Sequence, residues 1–492
     1  MTEIVDFAIA AAARAVETES SPISTEEVRT PEQATHFFNQ NFCVASDSGK
    51  AVILHERFDH LLRRRIFDRL DIRDLRALYA NLQIKTGEKR NGEPILTPAV
   101  EVWFRSEARK TFAGGVVFDP AGRHRGDQLN LWRGFTIKPK HGDWRLLRDH
   151  IFSNICCGDQ GKFDYLISYI ARMVQFPGEP GEVAIVLQSE EEGSGKGFFA
   201  RVMMRLFGQH GLAISNSKHL VGNFNSHLQD CVLLFADEAF YAGNPANIGI
   251  LKSLITEPTL TIEPKYGRVS LVKNSLHVFM ATNEAWAVPA GLHARRFFVL
   301  VVSPARKNDH EYFAAIAHEL ENGGYEAMLH DLLTYDLTNF NVRNAPYTVE
   351  LGEQKKLSLD VPMKWWLDTL QRGYVFRSRL GLEEVFSVWM PEVSTELLFT
   401  SYNEFSKSHR EHHPLSRETF GRFMRRMGAR PRRLRNAIVA EHVAPLSNSR
   451  EPQAYRTART HGYELGGLTA TRASFERATG VSFDWPDDAG PE

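Results

Sequence analysis

The stretch that decides the fold reads Val183-Ala-Ile-Val-Leu-Gln-Ser-Glu-Glu-Glu-Gly-Ser-Gly-Lys-Gly-Phe-Phe199. Its first residues are continuously apolar, which is typical of a strand covered on both faces in a parallel sheet. A glycine-rich turn and Lys196 follow, and the pattern from Phe198 to Phe207 predicts a helix. This order forms a phosphate cradle, because glycines let backbone N–H groups converge and the helix N-terminus adds positive potential.

The loop departs from the common pattern G-x-x-x-x-G-K-[ST] at two positions. Glu190 replaces the first glycine, and Gly197 replaces the hydroxyl residue that holds Mg²⁺, so the metal needs other ligands or water. The three glutamates at 190–192 must point away from a polyanion. We expect the phosphates to be bound by five successive residues, with the lysine reaching the β- and γ-phosphates: Gly193, Ser194, Gly195, Lys196 and Gly197.

Further apolar runs follow the loop, and helical patterns separate them. They span Cys231 to Ala236, Leu276 to Ala281 and Phe297 to Val302, and a helix is predicted over Ile248 to Thr256. Alternating buried strands and helices predict an α/β domain with a parallel sheet.

Polar side chains stand next to these apolar runs. If Val183 to Leu187 is counted as the first apolar run, Asp237 and Glu238 follow the second, Cys231 to Ala236. At that point of the sheet a P-loop enzyme needs a carboxylate that binds the metal and a base that activates water. Asn283 follows the third run and is predicted to orient the attacking water. Arg295 and Arg296 precede the fourth run, and one of them is predicted to reach the γ-phosphate of a neighbouring subunit.

Together these motifs resemble the superfamily-3 helicases of the AAA+ type, and more closely the helicase part of phage and plasmid primase-helicases. That family also uses a loop ending Gly-Lys-Gly. The resemblance covers about residues 180–305 and implies a P-loop AAA+ ATPase core, ATP and Mg²⁺ as cofactors, and a ring, by analogy a hexamer. It also implies that Asp237 holds the Mg²⁺ and Glu238 activates water.

A hairpin is predicted between the second and third runs, from Thr259 to Lys273. Its candidate nucleic-acid contacts combine cations for the backbone with a ring for a base: Lys265, Tyr266, Arg268 and Lys273. The resembled family projects such a hairpin into the channel of its ring. An ordinary surface hairpin is the alternative.

The overall charge of −1 conceals a basic segment near the C-terminus. Residues 401–460 hold thirteen Lys and Arg against five Glu, which indicates phosphate binding. The segment Ser416 to Met427 predicts a helix with one apolar and one arginine-rich face, on which Arg422, Arg425 and Arg426 are candidate DNA contacts. With strands over Asn436 to Val443 and Tyr463 to Leu468, a winged-helix-like domain is predicted. A solvated helix that binds no DNA is the alternative.

The remaining composition is that of a globular protein of 492 residues. Its four cysteines lack the CxxC spacing of zinc sites, and the histidines 409, 412 and 413 lack metal-ligating partners. The apolar stretch from Phe7 to Val16 has no basic flank, and no later run is long enough to span a membrane. We expect a cytoplasmic protein in a bacterial host.

The predicted organisation has six parts. An acidic helix and linker (1–35) precede an α+β accessory domain (36–148) with a helix around Phe58 to Leu82. Its predicted strands are Ala51 to Leu54, Val100 to Phe104 and Gly115 to Phe118. The other parts are a helical collar (149–180), the ATPase core (181–338), an irregular linker (339–362) and the basic C-terminal domain (363–492).

These features favour an ATP-dependent DNA helicase that acts on single-stranded or forked DNA in replication of a phage or mobile genetic element. No Asp-x-Asp motif supports a primase in this chain, so any primase partner is expected on a separate chain. The alternative is an ATP-gated origin-binding or loading protein that does not unwind DNA. A P-loop kinase for small substrates is disfavoured, because it leaves the hairpin without a role.

Overall fold

The structure is a computed structural model. It describes residues 25–47, 49–60, 64–222, 224–238, 245–265, 269–284, 296–375, 389–441 and 453–486. Among these residues, a first compact unit extends to Glu350 and a second begins at Leu351.

The N-terminal region mixes short helices and strands. Its elements are α1 (Pro31–Asn41), β1 (Phe42–Asp47), β2 (Lys50–Asp59), β3 (Arg64–Leu70), α2 (Ile72–Leu78), β4 (Gln83–Glu88), β5 (Pro94–Pro98), α3 (Ala99–Arg105), β6 (Thr111–Phe112), β7 (Gly115–Val117) and β8 (Gln128–Asn130). Strands β3, β2, β1 and β6 form one sheet in that order. Thr30 and Gln33 form a capping box that fixes the start of α1.

Two predictions in this region are wrong. The predicted helix from Phe58 to Leu82 is instead the end of β2, all of β3 and the short α2. Apolar residues recur at helical spacing in this segment, but the antiparallel pairing of β2 with β3 outweighs that local preference. The predicted strands from Ala51 to Leu54 and from Gly115 to Phe118 are confirmed, the first within β2 and the second as β7. The predicted strand from Val100 to Phe104 is α3, in which Val100 and Trp103 are buried three positions apart.

Within the collar the sequence predicts helix from Asp149 to Val174, and the structure interrupts this helix. The structure has α4 (Arg145–His150), a π-helical turn (Ile151–Ile155) and α5 (Gln160–Gln175). Cys157 and Gly158 have φ values of 52° and 77°, which end the first segment. Asp159 then starts α5 by accepting a hydrogen bond from the Lys162 backbone N–H.

The rest of the first unit follows in alternation. Its elements are β9 (Ala184–Gln188), α6 (Lys196–Phe207), β10 (Gly211–Ile214), α7 (Ser217–Val221), β11 (Leu233–Asp237), α8 (Pro245–Thr256), β12 (Thr259–Ile262), β13 (Ser270–Lys273), β14 (His277–Thr282), β15 (Phe297–Val301), α9 (His310–Glu319) and α10 (Tyr325–Thr334).

A five-stranded sheet with the order β10-β11-β14-β9-β15 organises this part, and every neighbouring pair is parallel. The prediction of a parallel sheet from four apolar runs is confirmed. The fifth strand, β10, was missed because it has only four residues and is partly exposed. Phe199 of α6 stacks on Phe279 of β14 in the core, which ties the helix after the glycine-rich loop to the sheet.

The predicted linker over 339–362 contains α11 (Val349–Leu357). Its apolar residues do not recur at helical spacing, so the sequence gives no amphipathic signal there.

The second unit combines helices with a three-stranded sheet. Its elements are α12 (Val361–Arg372), β16 (Glu392–Ser394), α13 (Thr395–Ser408), α14 (Arg417–Arg426), β17 (Arg430–Glu441), β18 (Gln453–Glu464) and α15 (Leu468–Thr479), and the sheet order is β16-β18-β17. The predicted helix is confirmed as α14, with Phe420, Phe423 and Met424 buried. The predicted strand from Asn436 to Val443 overlaps the second half of β17, whereas that from Tyr463 to Leu468 overlaps β18 only at its last two residues. The arginine-rich first half of β17 carries no apolar run and was not predicted.

Among the residues that the structure describes, no helix is both long and apolar enough to cross a membrane.

Candidate phosphate-binding site

The glycine-rich loop between β9 and α6 depends on left-handed backbone at two glycines. Gly193 has φ 74° and Gly195, which immediately precedes α6, has φ 100°. A Cβ atom on Gly193 would lie 2.2 Å from Oδ1 of Asn308, and one on Gly195 would lie 2.9 Å from the ring of Phe313. Both conformation and space therefore require glycine at these positions.

Lys196 begins α6 and is largely buried, with 8% of its surface exposed. Its Nζ donates a 2.7 Å hydrogen bond to Oδ1 of Asn283 and a 3.3 Å hydrogen bond to the carbonyl of Glu191. Burial lowers the pKa of Lys196, and the carboxylates of Glu238 and Asp237 oppose that effect. The ammonium group thus lies within a ring of acceptors at the carboxyl edge of the sheet.

Asn283 follows β14 and connects Lys196 to Glu238. Its Nδ2 donates a 2.5 Å hydrogen bond to Oε1 of Glu238. Glu238 follows β11 with φ 52°, a left-handed conformation that is uncommon for a residue with a side chain. Adjacent parallel strands, β11 and β14, bring these residues together, as expected for carboxyl ends at one sheet edge.

Asp237 is the last residue of β11, and it is exposed. Among the described residues no group of three or more His, Cys, Asp or Glu side chains converges as a preformed metal site. Mg²⁺ is usually held by one or two carboxylates, waters and substrate phosphates, so an exposed Asp237 beside the loop fits that mode of binding.

Arg296 lies at the other edge of the same sheet. Its carbonyl accepts a hydrogen bond from the N–H of Ala184, the first residue of β9, whereas the glycine-rich loop follows the last residue, Gln188. The length of β9, about 13 Å at ~3.3 Å per residue, separates the two edges. Nε of Arg296 donates to Oγ1 of Thr256 at 3.3 Å. Arg295 lies outside the described residues.

Two residues of the α4 segment and its π-helical turn support the loop from behind, and sequence reasoning missed both. Nδ2 of Asn154 donates a 3.0 Å hydrogen bond to the carbonyl of Ser194. His150 packs its ring 3.2 Å from the position of a Cβ on Gly195, and burial lowers its pKa to about 4. Because both residues are far from the loop in sequence, no local sequence pattern indicates that they contact it.

The region after β15 supports the loop from its other side. The backbone N–H of Asn308 donates to the carbonyl of Gly193 at 3.2 Å, and Nζ of Lys307 lies 2.7 Å from Oε2 of Glu191. One of the three adjacent glutamates is therefore paired with a cation.

The predicted hairpin is confirmed as the antiparallel pair β12 and β13. Asn225 anchors it, because its Nδ2 donates to the carbonyl of Thr261 and its Oδ1 accepts from the N–H of Glu263. Lys273 and Lys265 are exposed, and Tyr266 and Arg268 lie outside the described residues.

The candidate arginines of α14 are all exposed. Arg422 lies 3.5 Å from Glu418, and the guanidinium of Arg426 lies 5.7 Å from the centre of the Phe423 ring. These residues belong to the second unit and are not part of the glycine-loop site.

Fold and site together define an α/β protein with a glycine-rich loop at the carboxyl edge of a parallel sheet. A family of unknown function, DUF5906, matches residues 187–296. No curated protein matches the chain.

Solved structures share the fold. The apo structure of the NrS-1 C-terminal region aligns with a TM-score of 0.53 at 16% identity, over 72% of this chain and 87% of that one. The A form of the same region gives a TM-score of 0.52 at 16% identity, over 72% and 88%. A JCV helicase with a bound small molecule aligns with a TM-score of only 0.22 at 14% identity, over 46% of this chain and 69% of that one.

Proposed function

We propose that this chain is an ATP-dependent DNA helicase of the superfamily-3, AAA+ type, which acts in replication of a phage or mobile genetic element. The observation that carries the proposal is the hydrogen-bonded series from Lys196 through Asn283 to Glu238 at one sheet edge. It joins a phosphate-binding cation, a neutral polar group and a carboxylate, which are the parts that ATP hydrolysis needs.

In this proposal the phosphates of ATP bind to the glycine-rich loop, Gly193 to Gly197. The γ-phosphate replaces Asn283 as the partner of the Lys196 ammonium group. Asn283 then orients the attacking water, and Glu238 accepts its proton. Mg²⁺, when bound through Asp237 and the phosphates, neutralises charge on the transferred group.

Arg296 supports a ring assembly. It lies at the opposite sheet edge from the loop of its own chain, and this position favours contact with the γ-phosphate of another subunit. We propose that Arg296 or Arg295 serves as an arginine finger in a neighbouring subunit of a homo-oligomer, by analogy a hexamer.

Two elements are proposed to contact DNA. The hairpin carries Lys265, Tyr266, Arg268 and Lys273 and moves the strand as ATP is hydrolysed. From α12 to β18, the elements of the second unit follow the order helix, strand, helix, helix, strand, strand, which supports a winged-helix domain. Arg422, Arg425 and Arg426 lie on the third helix of this order, α14.

Strand displacement from a forked DNA duplex tests this proposal, with ATPase rates measured with and without single-stranded DNA. We expect ATP-dependent displacement and DNA-stimulated hydrolysis, and we expect Lys196→Ala to lose both. Lys364→Ala, which changes an exposed lysine of α12, is the matched control. DNA-independent hydrolysis without displacement would reject the helicase.

That last outcome would favour a second candidate, an ATP-gated origin-binding or loading protein. The arginine-rich α14 suits this candidate equally well, because it offers the same phosphate-binding charge without requiring unwinding.

A further inference from the structure

The arginines of the second unit differ in whether a carboxylate pairs with them. Arg417 and Arg432 are held in ion pairs: Arg417 contacts Glu396, and Arg432 lies 3.0 Å from Glu392 and 3.4 Å from Glu464. Three others are exposed and form no ion pair with any carboxylate in the part of the chain that the structure describes: Arg433, Arg435 and Arg459, the hairpin-face arginines.

The register of β17 and β18 places the hairpin-face arginines together. Arg435 pairs directly with Arg459, and Arg433 pairs with His461, so all four side chains share one face of the ladder. Like charges directly opposite each other destabilise a sheet. The flanking pairs on the same face, Arg433–His461 and Ala437–Thr457, place no acidic residue next to it, so this arginine pair indicates a surface that a polyanion completes.

This face is continuous with the surface on which α14 packs. Tyr463, two residues beyond His461 on the same face, is buried in the core, and its hydroxyl lies 3.2 Å from the position of a Cβ on Gly421 of α14. Burial raises the pKa of Tyr463, and the charge of Arg425 opposes the rise, which shows that Arg425 is close to this junction. Alternate residues of β18, which share this face, then lie about 6.8 Å apart and at increasing distance from α14.

We infer that α14 and the hairpin-face arginines form two walls of one cleft that grips the phosphate backbone of duplex DNA. The inference rests on the proposed nucleic-acid function and specifies its ligand. The major groove of DNA, about 12 Å wide, admits a helix, and the phosphates that border the groove then face the hairpin.

The described side chains favour a duplex over a single strand. Proteins that hold single strands present aromatic rings on which bases stack. Phe420 and Phe423 of α14 and Tyr463 of β18 are buried and cannot stack on bases, whereas the guanidinium groups of α14 and of the hairpin-face arginines are exposed.

The salt dependence of binding tests the inference with the full chain, without nucleotide, on a 25-base-pair duplex and on a single strand of equal length. Each phosphate contact adds about 0.9 to the slope of log K against log salt concentration. The double variant Arg433→Gln and Arg435→Gln should lower that slope by about 2 and weaken duplex binding by roughly tens of fold at 0.1 M salt.

The control is Arg430→Gln, which removes one arginine charge, half of the loss in the double variant, from the same strand but on the opposite face of the ladder. Its slope should match that of the wild type, and the thermal unfolding midpoint shows whether each variant is folded. An unchanged slope in a folded double variant, an equal change in the control, or tighter binding of the single strand would each overturn the inference. If the double variant lowers the slope as expected but the wild-type protein displaces no strand, only the helicase proposal is rejected.

Discussion

Asn283 holds Glu238 by a 2.5 Å hydrogen bond from its Nδ2, while its Oδ1 accepts a 2.7 Å hydrogen bond from Lys196. A carboxamide satisfies both neighbours because it offers one acceptor and one donor. Without nucleotide, the carboxylate and the ammonium group are thus each restrained by the same side chain. A γ-phosphate that captures Lys196 would free the carboxamide to turn towards water.

Replacing Asn283 tests this arrangement. Asn283→Asp keeps the size and the acceptor for Lys196, but it removes the donor and places a second carboxylate beside Glu238. We expect ATP turnover to fall by about 10²–10³-fold, similar to the loss of one positioned donor in other enzymes. Steady-state ATPase rates measure this, and Asn322→Asp, at an exposed helix end, is the control. A loss of less than threefold would contradict the assigned role.

Glu238→Gln should separate ATP binding from hydrolysis. The amide oxygen of glutamine still accepts from Nδ2 of Asn283, so the geometry is kept while the base is lost. We expect hydrolysis to fall by about 10²–10⁴-fold and the dissociation constant for ATP to change little. Equilibrium binding of a fluorescent ATP analogue, alongside product formation, checks both expectations. Full turnover in the variant would assign the proton transfer to another group.

Asn154→Ala should weaken nucleotide binding indirectly, because Asn154 supports the loop by a hydrogen bond to the Ser194 carbonyl. Losing this buried hydrogen bond leaves the carbonyl unpaired, at a cost of about 1–3 kcal/mol, and loosens the cradle. We expect the KM for ATP to rise about tenfold while kcat changes less than threefold. The opposite pattern, a fall in kcat at constant KM, would show that the residue serves the chemical step.

Acid should destabilise the first unit through His150, whose pKa is lowered to about 4 by burial and by Arg306. The unfolded chain binds a proton near pH 6.5, whereas the folded chain does so only near pH 4. Stability is therefore lost as pH falls from about 6.5 to 4, by about 2 kcal/mol at pH 5 for this histidine. His210 and His277, with pKa values lowered to about 3 by burial, add to the effect.

Thermal unfolding from pH 7 to pH 5 measures this dependence. His150→Gln should reduce the pH dependence of the midpoint, whereas His318→Gln, an exposed position on α9, should not. Equal pH dependence in all three proteins would show that other groups govern the acid response.

The sequence predicted the central sheet and the residues at its carboxyl edge, because buried parallel strands are apolar throughout and polar residues mark their ends. Lys196, Glu238 and Asn283 were therefore found from local pattern alone. Asn154 and His150 were not, because they reach the loop through tertiary packing across forty or more residues. The strands β2 and β3 were mistaken for a helix, since long-range pairing outweighed the local spacing of apolar residues.

The left-handed backbone conformation of Glu238 lowers the stability of the fold at a residue that carries a proposed catalytic carboxylate. A side chain at φ 52° costs about 1–3 kcal/mol that glycine would not incur. Glu238→Gly should therefore raise the thermal unfolding midpoint while it removes the carboxylate proposed to accept a proton from water, so that stability and activity change in opposite directions at this one position.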